Sequence, residues 1–114
     1  MNKITTATVQ HFCDHTTFRR GYDEVYIDKI RGQIVYQLCD TRLVCVDFGS
    51  KNVKLNFPHN PYNSATVTRL RAFAWRYGFG TVTRKDGRWL LNSEPVIGWI
   101  AYDDIVAQRK GSTK

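Results

Sequence analysis

Near the start of the chain, His11, Cys13 and His15 recur at every second position, and these are residue types that can bind a metal. On a helix His11 and His15, at i and i+4, share a face while Cys13 points away. Such a pair holds zinc only if a further ligand, for example Asp14 or His59, converges on it. The plainer reading is two partly exposed histidines beside a buried cysteine, and no metal is expected. A cysteine nucleophile would need a histidine within hydrogen-bond reach. Cys39 and Cys45 lie instead in the apolar runs IVYQLC and LVCVDF, where cysteine serves as a small hydrophobe. The neighbouring carboxylates Asp23-Glu24 and Asp103-Asp104 fall at loop-like ends and read as solvated, not as an acid–base pair. GFG (78–80) is too short to cradle a phosphate, and neither a Walker nor a dinucleotide fingerprint occurs. The chain therefore reads as non-catalytic and without a cofactor.

The chemistry that remains is basic and aromatic. Between positions 63 and 92 lie Arg69, Arg71, Arg76, Arg84, Lys85 and Arg88, with Trp75 and Trp89, against the single acid Asp86. Guanidinium groups make bidentate contacts to phosphate, and an exposed indole can stack on a base. Arg69, Arg71, Trp75, Arg76, Arg84, Lys85 and Arg88 are accordingly the candidate nucleic-acid or partner-binding residues. An equally physical reading has the arginines solubilising an outer helix face while Trp75 packs on the C-terminal tail. A second basic group, Phe18-Arg19-Arg20-Gly21, reads as a solvent-exposed turn.

The whole chain has the same bias. It carries 17 Lys and Arg against 10 Asp and Glu, a net charge of +7 and a pI near 9.6. Such an excess speeds association with polyanions without choosing a fold. Nucleic acid is one expected partner and an acidic protein surface the other. No apolar run approaches the ~18 residues of a membrane span, and Met1–Gln10 lacks a signal-peptide h-region. An odd number of cysteines, three, fits reduced thiols in a cytoplasm better than a secreted disulfide framework.

The elements that must position these residues follow from periodicity. Residues 5–15 read as a short helix capped by Thr5 or Thr6, with Val9, Phe12 and Cys13 as its apolar stripe. Four strands follow over 24–30, 33–39, 42–48 and 51–57, joined by tight turns such as Arg31-Gly32 and Gly49-Ser50. Val44, Val46 and Phe48 would face the core from the third. PHNPYNS (58–64) is a loop, since its two prolines exclude helix and central strand. Asn63 or Ser64 then caps a helix over about 65–77, with Gly78 as its C′ residue.

At about 100° per residue, Val67, Leu70, Phe73, Ala74 and Tyr77 form its apolar face. Ala65, Arg69, Ala72 and Arg76 fall on the opposite, solvated face, and Trp75 lies on the flank with Thr68 and Arg71. Residues 78–92 form a hairpin turning at Lys85-Asp86-Gly87. Beyond Pro95, residues 96–101 read as an edge strand or a packed extension, 102–109 as a short helix, and 110–114 as a mobile tail. The result is a single α+β domain over 1–114: an antiparallel β-meander packed against one main helix, with a short N-terminal helix and a C-terminal β-hairpin. Monomer and edge-paired homodimer both remain open.

The opening TATVQHFCDHTTFRRG, the strand meander, the Thr-rich capped helix containing RL, and the G-x-G hairpin ending in WLLN together resemble small accessory proteins of tailed bacteriophages. The likeness spans the layout of residues 4–92 and departs at Tyr22-Asp23-Glu24 and across 95–114. It implies an origin, a host-cell cytoplasmic location, and action by binding host machinery, for example as an inhibitor or adaptor on a defence protein. It transfers no functional residue.

Overall fold

The computed structural model describes residues 3–59 and 64–112, with side chains to residue 107. The expected α+β architecture is present. In chain order the elements are α1 (Lys3–Cys13), β1 (Phe18–Arg20), β2 (Asp23–Asp28), β3 (Gln33–Leu38), β4 (Thr41–Asp47) and β5 (Val53–Phe57). They continue with α2 (Ser64–Arg76), β6 (Val82–Lys85), β7 (Arg88–Leu91), β8 (Glu94–Val96), β9 (Gly98–Ala101) and α3 (Tyr102–Ser112). An antiparallel sheet in the order β1-β2-β3-β4-β5-β9 carries the helices on one face, and β6-β7-β8 form a smaller sheet beside it.

Alternation sets the two faces of the large sheet. Val25, Tyr36, Val44 and Leu55 are cross-strand neighbours, and all are fully or almost fully buried. Phe12 of α1, Leu70 and Phe73 of α2 and Ile105 of α3 close over them. Phe73 stacks on Tyr36 at 5.2 Å and meets Phe12 edge-on at 5.1 Å. The small sheet is tied in by Trp89, whose indole N–H donates to the Pro58 carbonyl at 2.9 Å while its ring meets Phe57.

Both long connections after helices are Schellman motifs. In α2 the Phe79 N–H reaches the Ala74 carbonyl and that of Gly78 reaches Trp75, with Gly78 at φ 76°, as its place in the sequence predicts. At the end of α1 the Thr16 N–H reaches His11 and that of His15 reaches Phe12, so His15 takes the left-handed position at φ 57°. Thr5 and Thr6, expected as caps, lie inside α1, because the helix starts at Lys3.

Several expectations are corrected. Phe18–Arg20 is not a turn but the edge strand β1, paired with β2 from Phe18 opposite Val25 to Arg20 opposite Asp23. Phe48 lies one residue beyond β4 and is 38% exposed, so it does not face the core. Cys39 is not a strand hydrophobe. It is exposed and shares with Asp40 a two-residue turn in which both φ angles are positive, at 49° and 66°. The hairpin gains a third strand, β8, through a second such turn at Asn92-Ser93. Residues 98–101 do form a sheet edge, as β9 beside β5. The backbone of α3 continues through 110–112 of the expected tail, and 113–114 lie outside the described residues, as does Asn63.

The largest correction concerns charge. Asp23 and Arg69, both expected in solvent, are 5% and 6% exposed. They form a bidentate ion pair, Nε to Oδ1 at 2.8 Å and Nη2 to Oδ2 at 3.1 Å. The Tyr36 hydroxyl also donates to Asp23, and Arg69 Nη1 donates to Thr5 Oγ1. The bond to Asp23 raises the Arg69 pKa further.

Burial, then the bond to Asp23, pushes the Tyr36 phenol far above its ordinary value of 10.0, and burial does the same to Tyr77 beside Cys13. The native state thus keeps two protons that the unfolded chain releases above pH 10. Stability is unaffected by these groups below that pH and falls as pH rises through it, by up to ~1.4 kcal/mol per pH unit for each phenol. In an alkaline titration followed by tyrosinate absorbance, these two phenols should ionise only together with loss of near-UV circular dichroism.

Candidate nucleic-acid interface

The surface is built on the flank of α2 that faces away from both the sheet and α1. Helix α2 packs on α1, β5 and β6, and Thr66, Arg69, Leu70, Ala72, Phe73 and Ala74 are buried. Trp75 and Arg71 remain on the outer flank. Trp75 is 81% exposed, so it does not pack on the tail. Arg71 is held in place: its Nε donates to the Val82 carbonyl at 2.9 Å. Together with Gly80, Thr81 and Thr83 these residues line a shallow groove of about 350 Å³.

The hairpin continues that surface. Its turn, Asp86-Gly87, has positive φ at both positions, which aligns Lys85 with Arg88, Arg84 with Trp89, and Thr83 with Leu90. Alternation then sends Thr83, Lys85, Arg88 and Leu90 to the outer face and Arg84 with Trp89 to the inner one. Lys85, Arg88 and Leu90, with Asp86, line a second hollow of about 440 Å³, joined to the first through the Thr83–Leu90 pair. Asp86 suits the turn, since aspartate tolerates the left-handed conformation, here at φ 52°. From Phe48 to Lys85 the sequence contains no Asp or Glu at all.

The seven candidate residues thus separate. Arg71, Trp75, Lys85 and Arg88 share one outer surface. Arg76 is exposed at the helix end, its guanidinium 5.8 Å from the Tyr77 ring. Arg84 lies 4.8 Å over the Trp89 ring and lines a different cleft, about 540 Å³, with Arg88 and His59. Arg69 is in the core and leaves the set. Thr83 and Leu90 join it, and the alternation of VTRK and RWLL about the DG turn was the signal for them.

No family, curated protein or solved structure matches the chain.

His11 stacks on Phe18 at 4.6 Å and its Nδ1 lies 2.8 Å from Thr16 Oγ1, whereas His15 packs edge-on to Phe48. The two histidines do not share a helix face, because His15 has left the helix. Among the described residues no three His, Cys, Asp or Glu side chains converge as metal ligands. Burial pushes the Cys45 thiol up, away from the nucleophilic thiolate. Among the described residues no helix is long and apolar enough to cross a membrane.

Proposed function

We propose that the protein is a non-catalytic module that binds nucleic acid through Arg71, Trp75, Lys85 and Arg88. One observation carries this reading: an indole 81% exposed beside a guanidinium fixed by a main-chain carbonyl. A tryptophan left in water forgoes the burial that an aromatic side chain ordinarily gains, and a flat ring next to fixed positive charge suits a base and its phosphate. Outward lysine and arginine at the hairpin tip extend the positive track.

The test is fluorescence anisotropy with labelled 20-nucleotide single-stranded DNA and RNA across a salt series. Log affinity should fall linearly with log salt. Trp75→Ala should weaken binding ~5- to 150-fold, corresponding to about 1–3 kcal/mol for one stacked base. Lys85→Glu with Arg88→Glu should reduce the salt slope by more than about 1. Affinity indifferent to salt, or unchanged by Trp75→Ala, overturns the reading. In that event the same surface is best read as a phage-type adaptor site for an acidic host protein, recognised by a stoichiometric partner that persists in nuclease-treated lysate.

A further inference from the structure

The helices cover one face of the six-stranded sheet, and among the described residues no element covers the other. Alternation places Tyr26, Val35, Cys45, Lys54, Asn56 and Trp99 on that open face. Across its centre runs a cleft of about 430 Å³, within the range of small-ligand sites. Its floor is apolar, formed by Val35 and Cys45, which are 0% and 7% exposed. Trp99 forms one wall and is 46% exposed.

The charged residues lining the cleft are all cationic: Arg31, Arg42 and Lys54. Arg31 and Arg42 share one carboxylate, Asp28, at 4.0 and 3.6 Å. Arg42 also lies 5.8 Å over the Tyr26 ring. Lys54 has no carboxylate partner among the described residues. The cleft therefore offers an accessible indole, an ammonium without a carboxylate partner and a guanidinium that shares Asp28 with Arg31, while Asp28 and Asp47 lie at one end of the same face. An apolar peptide would leave these cations unmatched, whereas a nucleotide supplies a planar ring and an anion at once.

We propose that this cleft takes one nucleotide of a bound single strand, its base against Trp99 and its phosphate between Lys54 and Arg42. The inference rests on the nucleic-acid reading above but uses a separate surface, so the two can fail separately. Exposed aromatic side chains on an open sheet stack splayed bases whatever their sequence, and neighbouring cations track the backbone. Specificity for sequence is not expected from these residues.

Anisotropy titrations with the same oligonucleotides would compare Trp99→Ala, Lys54→Glu and Trp75→Ala in the full chain, with circular dichroism melts to confirm that each folds. Trp99→Ala should weaken binding ~5- to 150-fold, with Trp99→Phe recovering part of it. Lys54→Glu should lower the salt slope by about 0.7 or more. If Trp99→Ala and Lys54→Glu bind as the parent does while Trp75→Ala is impaired, the cleft is not used and the helix–hairpin site stands. If Trp99→Ala is impaired and Trp75→Ala is not, the cleft stands and the helix–hairpin site falls. A parent protein that binds neither DNA nor RNA overturns both.

Discussion

Arg69→Ala should cost about 3–5 kcal/mol of stability, a large part of the ~5–15 kcal/mol that holds a domain folded. The loss would not come from the attraction of the pair, whose net worth against an apolar substitute is small. It would come from what is left behind. Asp23, 5% exposed, would be left with only the Tyr36 hydroxyl to answer it, and Thr5, fully buried, would lose the Arg69 donor. Arg69→Lys should rescue little, because a single ammonium cannot reproduce the two parallel bonds to the Asp23 oxygens. Asp23→Ala should be similarly damaging. The Asp23→Leu, Arg69→Met double variant should be milder than the two single losses combined, since it leaves no unpaired charge. Urea denaturation of the four variants reads this directly. Loss of less than about 1 kcal/mol in Arg69→Ala would show that water reaches Asp23 and that the pair is not a core element. A charge reversal at Arg69 consequently reports on folding and says nothing about ligand binding.

Arg69 also shows what periodicity can and cannot reveal. The stripe Leu70, Phe73, Ala74 and Tyr77 identified the side of α2 that meets the sheet, and Gly78 identified its end. A helix packed only on a sheet has one buried stripe, but α2 packs on α1 as well as on strands. The face holding Arg69 and Ala72 packs on α1. Its hint in the sequence was size: Ala65 and Ala72 are small enough for two helices to approach closely. The partner charge could not be read, because Asp23 opens β2 and its edge partner, β1, is only three residues long. The meander was legible for the opposite reason. Alternation with period two and tight turns is local information, and β2 to β5 lie within a few residues of where the pattern puts them.

The candidate surface was legible only in part. Composition pointed to the stretch 63–92, and the helical angle correctly left Trp75 and Arg71 on the flank. Register about Asp86-Gly87 then decides which hairpin residues share a face, and it separates Arg84 from Lys85. The open sheet face escaped notice because its residues lie far apart in sequence. Arg42, Lys54 and Trp99 come together only through the order β4-β5-β9, in which β9 joins the meander after a helix and a second sheet have intervened. No local pattern announces such a return.

Gly80→Ala should damage the placement of the hairpin on α2, and through it the proposed interface. Gly80 has φ 123°, a conformation L-residues rarely adopt, and a Cβ there would sit on the Asn92 amide. That amide is a clamp across the start of the hairpin: Asn92 Nδ2 donates to the Phe79 carbonyl, and its Oδ1 accepts from the Thr81 N–H, each at 2.9 Å. Expelling it would break both bonds and strain the backbone, together costing roughly 2–5 kcal/mol. Asn92→Ala should cost less, about 1–3 kcal/mol from the two bonds and from alanine's poorer fit to the left-handed φ of 53°, because Gly80 keeps its preferred geometry. The consequence is local. Arg71 reaches Val82, two residues beyond Gly80, so a displaced β6 would release the guanidinium that flanks Trp75. Amide hydrogen exchange should therefore show faster exchange in β6 and β7 of Gly80→Ala, with β2 to β4 unchanged. Oligonucleotide affinity should fall as in Trp75→Ala. Uniform destabilisation of every strand would mean that the small sheet is not an independently loosened unit. Unaltered affinity in a variant with an unprotected hairpin would remove the hairpin from the interface.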